Sequence, residues 1–390
     1  CLDPATSTLD PADPAYVALR AGAADTRSPY PYEYGESIGA PRYDHAPTAD
    51  EQRSTEWDLD VHRAKLAALE KDPKTADAKY AGIDLAKAGA ELPELPTFSP
   101  VVREARAYVA PGSTIAWSRA FDLGDRTFLV TSDQALVPKD RVRPYPKTSF
   151  HGVLLEGDTK LPIAFFRKQD RPKLRLDGDA FVETGASFPR LSWVMLTGSS
   201  RDVKGERFLE TREAGTWVRA KDAAVAEARS PVPYRSDEDP GGRHTWVDVS
   251  VLGGTLVAYE GERPVFATLI SAGRGGIPFP GKDPVSTAST PTGSFRVDGK
   301  FKTATMVSST DSNVVHSEVQ YVQNFHGPHA LHGAYWHDAW GELKSGGCVN
   351  LSPRDSAWLF DWSDPKVPAD WFGVRSVAAF GVPTRVLVRP

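Results

Sequence analysis

Short runs of alternating apolar and polar residues dominate the chain beyond residue 97, and such alternation is typical of β-strands with one buried face. Residues 245–251 alternate regularly and predict a strand. Gly253-Gly254 predicts a tight turn into a returning strand over 255–259, and a third strand is predicted over 265–271. The pattern therefore predicts a mainly β protein.

Helical periodicity is clearest just after residue 47. Thr48 and Glu51 have the spacing of a capping box, which predicts the start of a helix. Apolar residues then recur every three or four positions and predict one buried helical face, formed by Trp57, Val61, Ala64 and Ala68. This helix should end before Pro73, and a second, alanine-rich helix is predicted over 75–89.

A weak internal repeat marks residues 97–235. Phe128-Leu129-Val130-Thr131 recurs 80 residues later as Phe208-Leu209-Glu210-Thr211, and each copy is followed by an apolar pair and then Lys-Asp. Repeated small β units predict two barrel-like modules, which resemble bacterial SH3-like domains. An unrelated β scaffold is the alternative. The polar stretch 236–242 predicts the boundary before a last domain, 242–390.

Residues 1–47 are rich in Pro, Ala, Asp, Ser and Tyr and lack apolar periodicity. Such a stretch buries too little surface to offset its ordering entropy, so a flexible tether is predicted, followed by a helical segment over 48–96. The first residue is Cys1, which is what remains when a bacterial lipoprotein signal is removed. We expect an acylated Cys1 that anchors the protein at a membrane in the periplasm; a chain boundary that falls on cysteine is the alternative.

Composition narrows the class of protein. Hydrophobic residues are 40% and charged residues 25%, which are ordinary values for a soluble globular protein. The net charge of −5 gives no electrostatic footprint for nucleic acid. The 32 glycines and 32 prolines favour short strands over long helices. With Cys1 and Cys348 as the two cysteines, a disulfide framework is excluded.

Five of the nine histidines lie between residues 316 and 337, and a metal site is one explanation. The spacing of His326, His329 and His332 could place ligands on one loop or strand end. However, no His-Glu-x-x-His motif is present, Gly327-Pro328 excludes a regular helix, and few carboxylates are nearby. We therefore expect no metal.

A reactive thiol is the second explanation. Cys348 follows Gly346-Gly347, and glycines allow a close substrate approach and leave amide N–H groups free for a developing oxyanion. A nearby imidazole, such as that of His332, can hold a thiol as the thiolate. A thiol buried as a small hydrophobe beside Val349 is the structural alternative.

Two ordered segments resemble the catalytic signature of YkuD-type L,D-transpeptidases. The first is His332-Gly333, and the second, with its cysteine 16 residues later, is Ser345-Gly346-Gly347-Cys348-Val349-Asn350. A further family hallmark lies upstream at 289–295. The resemblance covers about 243–390 and implies a β-sandwich catalytic domain that needs no metal or organic cofactor.

The resemblance also implies roles for individual residues. Cys348 would be the nucleophile and His332 the base, with the imidazole oriented by the carbonyl of Gly333. The N–H groups of Gly347 and Cys348 would form the oxyanion hole. Substrate contacts are expected from five residues, which are Ser345, Trp336, Asn350, His337 and Asp338.

Some of these substrate residues have alternative roles. Asn350 is expected to fix its turn rather than to take part in the chemistry. Trp340 could wall a groove together with Trp336. Asp338 and Glu342 could receive the cationic amine of an acceptor, or could be solvated loop charges.

One position departs from the family signature. The family usually has a second histidine two residues before the cysteine, and this chain has Gly346 there. A slower reaction, an altered selectivity or a shift towards hydrolysis could follow. His326, His329 or His337 could supply the missing imidazole.

The sequence therefore predicts an enzyme that cross-links peptidoglycan stem peptides through a Cys348 thioester and that carbapenems acylate. The same residues would serve a thiol hydrolase, either a carboxypeptidase or an enzyme that releases wall-linked proteins. A non-catalytic wall-binding protein, in which Gly346 marks a decayed site, is the other alternative.

Overall fold

The computed structural model describes residues 28–71, 108–229, 241–308, 314–369, 371–376 and 380–390. The chain divides into two compact units. Of the described residues, the first unit contains 31–71, 108–145 and 314–318, and the second contains 28–30, 146–308 and 319–390, with the gaps given above. The first β module of the predicted 97–235 region therefore lies in the first unit and the second module in the second. Cys1 and the helix predicted over 75–89 lie outside the described residues.

The first unit combines two helices with short strands that belong to two sheets. The helices are α1 (Ala49–Thr55) and α2 (Leu59–Lys71). The strands are β1 (Glu33–Ser37), β2 (Ala40–Pro41), β3 (Tyr108–Val109), β4 (Thr114–Leu123), β5 (Arg126–Thr131), β6 (Leu136–Pro138) and β7 (Val142–Pro144). β1 pairs with β4 and β7, and β4, β5 and β6 form a meander.

The second unit begins with the second β module. Its strands are β8 (Val153–Leu154), β9 (Ile163–Phe165), β10 (Arg171–Asp177), β11 (Ala180–Phe188), β12 (Trp193–Val203), β13 (Glu206–Thr211), β14 (Trp217–Arg219) and β15 (Ala224–Ala226). β9 to β15 form one seven-stranded sheet in the order β11-β10-β14-β13-β12-β9-β15.

The C-terminal part adds ten strands and one helix. They are β16 (Thr245–Ser250), β17 (Thr255–Glu260), β18 (Arg263–Leu269), β19 (Gly293–Arg296), β20 (Gly299–Val307), β21 (Val315–His326), β22 (His329–Gly333), β23 (Val349–Leu351), α3 (Pro353–Trp362), β24 (Gly373–Arg375) and β25 (Arg385–Arg389). β19, β25, β16, β17, β18 and β8 form a six-stranded sheet in that order. β22 joins β21 to β23, and β20 joins β21 to β24. The prediction of a mainly β protein is confirmed.

The three strands predicted from residue 245 onwards are β16, β17 and β18, the last beginning two residues earlier than expected. All six residues of β16 are buried, because the sheet is covered on both faces. Val247 and Val249 pack against Leu331 and Val349 in one core. Trp246 packs on the opposite side, in a core that also holds Phe165 of the second β module. The C-terminal sheet and this module therefore share a hydrophobic core.

The internal repeat has a structural counterpart in each unit. β4 and β5 meet at Gly124 (φ +64°), and β12 and β13 meet at Gly205 (φ +79°). In each copy a short strand and then a single 3-10 turn follow, over Lys139–Arg141 and Ala220–Asp222. The copies therefore share their order of elements, and the SH3-like resemblance stays a prediction.

The helix predicted from Thr48 begins where expected but is two helices. Thr48 forms the full capping box with Glu51, and α2 ends at Lys71, before Pro73. The predicted apolar face is wrong, because Trp57 and Val61 are 62% and 56% exposed. No helix among the described residues is both long and apolar enough to cross a membrane.

The polar turn between α1 and α2 is buried instead, and it contains Glu56 and Asp58. Glu56 is 2% exposed and bonds Arg126 (2.5 and 2.8 Å) and Arg141 (3.1 Å). Arg126 also bonds Asp140, and Arg141 bonds Asp58. These partners are distant in sequence, so hydrophobic periodicity along the helix cannot reveal them.

The tether predicted over 1–47 contains β1 and β2 in its described part. β1 has no apolar alternation to mark it, and it is fixed by backbone pairing on both edges, to β4 and to β7. Backbone pairing is independent of side-chain character, which explains why composition pointed to a spacer.

Replacing Glu56 by glutamine should lower the stability of the first unit by about 1–3 kcal/mol, because Arg126 and Arg141 lose their shared counter-charge while each keeps one carboxylate, Asp140 or Asp58. Urea denaturation would measure the loss. Trp57→Ala is the matched control and should change the free energy of unfolding by less than about 0.5 kcal/mol. A larger loss of stability for Trp57→Ala than for Glu56→Gln would contradict the burial of Glu56 and the exposure of Trp57.

Candidate active site

His332 lies on β22, and its ring is held in one tautomer. Nδ1 is 2.9 Å from the backbone oxygen of Gly333. A carbonyl oxygen only accepts, so Nδ1 carries the ring proton and Nε2 keeps its lone pair. A Cβ at position 333 would come within 2.6 Å of Ser356 Oγ, so the position requires glycine. The imidazole therefore presents Nε2 as its basic nitrogen.

The pairing of β22 with β23 places His332 and Cys348 on one face of the two strands. The strands are parallel, with Leu331 opposite Val349 and His332 opposite Asn350. Side chains alternate between the two faces along each strand. Leu331 and Val349 enter the core. His332, Asn350 and, one residue before β23, Cys348 therefore share the other face.

Two hydroxyl groups fix the loop that carries Cys348. Ser345 Oγ accepts from the N–H of Gly347 (3.0 Å) and donates to the backbone oxygen of Cys348 (2.5 Å). Thr290 Oγ1, which is fully buried, donates to the oxygen of Gly347 (2.9 Å) and accepts from the N–H of Gly273 (2.8 Å). Gly347 has φ +131°, a conformation that favours glycine.

The hydrogen bonds of Gly347 differ from those expected if its N–H formed part of the oxyanion hole. The N–H of Gly347 was expected to face the oxyanion, but it is donated to Ser345 Oγ. A trans peptide is planar, with C=O and N–H on opposite sides. Since Thr290 holds the oxygen of Gly347, the N–H of Cys348 points away from Thr290. Cys348 N–H is therefore the donor that the loop orients, while Gly347 shapes the turn.

The surroundings of the Cys348 thiol favour its protonated form. Burial raises the pKa of Cys348, and a backbone hydrogen bond from Ala330 opposes this only in part. From the sequence, an imidazole was expected to hold the thiolate. The raised pKa instead favours a neutral thiol that loses its proton to a base during the reaction.

His337 and Asn350 bond each other. The N–H of Ala339 donates to His337 Nδ1 (3.2 Å), so the ring proton lies on Nε2, which is 3.1 Å from the side-chain amide of Asn350. The amide atom at this nitrogen is Nδ2, while Asn350 Oδ1 is buried without a hydrogen-bond partner among the described residues, so a flipped amide that brings Oδ1 to the Nε2–H satisfies both groups. Burial lowers the pKa of His337 to about 3, which keeps the ring neutral. The pair ties the loop after β22 to β23.

Of the three histidines that could replace an imidazole at Gly346, His329 is the one against the cysteine loop. A Cβ on Gly347 would lie 3.0 Å from His329 Nε2. His329 Nδ1 is 3.1 Å from the oxygen of His326, and burial lowers the pKa of His329. The neutral imidazole of His329 therefore lies against Gly347, the residue before Cys348.

The two tryptophans on the loop differ in burial. Trp336 is half-buried, with its ring centroid 5.9 Å from that of His332, and it packs against the same cluster as Cys348. Trp340 is fully buried and stacks with Phe150. The suggestion that Trp340 walls an open groove is therefore wrong, because no face of its ring reaches solvent.

The carboxylates on the same loop have partners. Asp338 accepts from Arg190 Nη1 (2.8 Å) and from Thr148 Oγ1 (2.7 Å). Glu342 lies 3.7 Å from Lys168 Nζ. Arg190 and Lys168 come from the second β module, so that module neutralises both charges that were considered for an acceptor amine.

The clustered histidines do not converge on a single point. Within the part of the chain that the structure describes, no three His, Cys, Asp or Glu side chains are placed to hold a metal ion.

Thr290 holds the cysteine loop, and no role for it was predicted from the sequence. It lies inside the hallmark segment 289–295, which was noted as a motif without a role for each residue. Its contact with Gly347 crosses 57 residues of sequence, so no local pattern marks it.

A family comparison agrees with this geometry. Residues 244–371, about a third of the chain, match the family model of the L,D-transpeptidase catalytic domain, YkuD. The resemblance stated for residues 243–390 is thereby confirmed over 244–371. A search of curated proteins gives no match.

Solved structures of L,D-transpeptidases are also similar to part of the chain. One from Xylanimonas cellulosilytica is 23% identical over 40% of this chain and 65% of its own, with a TM-score of 0.27. One from Enterococcus faecium is 21% identical over 37% of this chain and 50% of its own, with a TM-score of 0.27. L,D-transpeptidase 3 from Mycobacterium tuberculosis is 16% identical over 50% of this chain and 79% of its own, with a TM-score of 0.28. The chain spans about half to two thirds of the first two.

We expect alkylation of Cys348 by iodoacetamide to be slow at pH 7 and to rise through an inflection above the ordinary thiol value, because burial raises its pKa and only the thiolate reacts. Mass mapping of the Cys348 peptide separates this thiol from Cys1. The urea-unfolded protein is the control and gives the ordinary inflection. A rate already at its plateau at pH 7 would indicate a resting thiolate and contradict the assignment.

Proposed function

We propose that the protein is a cysteine acyltransferase that cross-links peptidoglycan stem peptides, with the donor acyl group carried on Cys348. The proposal is supported chiefly by one observation: Cys348 and the basic Nε2 side of His332 share one face of the β22–β23 pair. The family match at 244–371 supports the same reaction class.

In the first half-reaction the bond before a terminal D-alanine is broken. His332 Nε2 takes the proton of the Cys348 thiol as sulfur bonds to the donor carbonyl carbon. The N–H of Cys348 stabilises the oxyanion. The carbon–nitrogen bond then breaks, the imidazolium returns its proton to the leaving amine, and a thioester remains.

In the second half-reaction an amine of a neighbouring stem attacks the thioester. His332 removes a proton from this amine and passes it to the departing sulfur, so the thiol is regenerated and a new amide bond joins the stems. The proton that leaves Cys348 thus departs with D-alanine, and the acceptor amine supplies the proton that restores the thiol.

A hydrolase on the same residues is the second candidate. The observation that favours it is the pairing of Asp338 with Arg190 and of Glu342 with Lys168, which occupies the carboxylates considered for an acceptor amine. Water would then take the place of the amine in the second half-reaction.

The substrate implies a location outside the cytoplasm. We therefore propose that the protein works in the periplasm, with acylated Cys1 as a membrane anchor and stem peptides as donor and acceptor. Lipid analysis of a Cys1→Ser variant in the producing cell would test the anchor.

Incubation with a carbapenem should add one acyl group to the wild-type protein and none to Cys348→Ala, because the strained ring is an acyl donor for the nucleophile. Intact mass spectrometry measures the adduct. A well-folded wild-type protein that gains no mass would contradict the proposed acyltransferase.

Thr290→Val should slow this acylation by roughly tenfold or more, because it frees the oxygen of Gly347 and lets the N–H of Cys348 turn from the oxyanion. Thr290→Ser keeps the hydroxyl and should restore most of the rate. Thr292→Val, at an exposed threonine nearby, is the matched control. An unchanged rate for Thr290→Val would remove Thr290 from the machinery.

A further inference from the structure

The described residues at the start of the chain belong to the unit that carries Cys348. Residues 28–30 lie in the second unit, whereas the chain from residue 31 lies in the first. Tyr321 Oη donates to the backbone oxygen of Ser28 (2.6 Å), and Gln320 Nε2 donates to that of Pro29 (3.4 Å). Gln320 and Tyr321 are both buried. A segment predicted as part of a free tether is therefore bound.

Gln320, which binds Pro29 of this segment, also contacts the residue that orients His332. A Cβ on Gly333 would lie 3.0 Å from Gln320 Oε1, so the side chain of Gln320 packs against Gly333. The oxygen of Gly333 holds Nδ1 of His332. Three successive contacts thus connect Pro29 to the imidazole.

Tyr30, at the other end of the segment, is connected through Thr148 to the loop between His332 and Cys348. Tyr30 Oη accepts from the N–H of Thr148 (3.0 Å) and lies 3.4 Å from its oxygen. Thr148 Oγ1 donates to Asp338 (2.7 Å), and Arg190 holds the second carboxylate oxygen. Burial is the main cause that raises the pKa of Tyr30, and the Asp338 carboxylate acts in the same direction.

We propose that Ser28–Tyr30 is a brace that positions residues 333–338, and that Tyr30 and Tyr321 are positioning residues for His332. The brace rests on the proposed function, since its consequence is the rate at which Cys348 is acylated. It binds at both ends of the short stretch that follows His332, through Gln320 at Gly333 and through Thr148 at Asp338. Loosening either contact therefore misplaces the same imidazole.

The test compares carbapenem acylation of Tyr30→Phe, Tyr321→Phe and the double variant in the full chain. Each single variant should lower the rate at saturating carbapenem by about three- to tenfold while the half-saturating concentration and the melting temperature stay unchanged. The double variant should be no slower than the slower single variant, because both hydroxyls act through one segment. Tyr32→Phe, two residues after Tyr30, is the matched control and should leave the rate unchanged.

Hydrogen exchange measures the contact without any reaction. Peptides that contain Thr148 and residues 333–338 should exchange faster in Tyr30→Phe than in the wild type. Unchanged exchange, wild-type acylation rates, multiplied effects in the double variant or faster acylation would each overturn the brace. Wild-type protein that is not acylated, with the exchange difference present, would keep the brace and overturn the proposed function.

Discussion

The parallel pairing of β22 with β23 is the constraint on which the candidate site depends. It sends Leu331, Val349 and Leu351 into the core and leaves His332, Cys348 and Asn350 on the opposite face. A shift of one residue in this register would bury the polar set and expose the apolar set, which the core resists. Burial of three aliphatic side chains therefore places His332 on the same face as Cys348, which is 16 residues away in sequence.

Given that register, hydroxyl groups complete the geometry. Ser345 and Thr290 hold the two sides of Gly347, and the positive φ of that glycine makes the turn possible. The loop consequently orients one amide, that of Cys348, in place of the two that were expected. The second β module contributes from outside, through Arg190 at Asp338 and Lys168 at Glu342.

Much of this arrangement could be predicted from the sequence because it depends on local signals. The alternation at 245–251, the Gly253-Gly254 turn and the Thr48 capping box each involve residues that are adjacent or a few positions apart. The burial of Glu56 between the two helices could not be predicted, since its partners Arg126 and Arg141 lie 70 and 85 positions away. The binding of Ser28 by Tyr321 crosses 293 positions and leaves no compositional trace. Long-range polar contacts thus account for the differences between the predicted and the observed structure.

The most direct test of the central claim is to incubate the protein with a stem-peptide donor that ends in D-alanine, with and without an amine acceptor. Mass spectrometry would follow the acyl-enzyme and the products for the wild type and for Cys348→Ala. We predict D-alanine release, a thioester on Cys348 and a cross-linked product that needs the amine, all lost in the variant. D-alanine release that persists in Cys348→Ala, or no release from folded wild-type protein, would contradict acyl transfer through this cysteine.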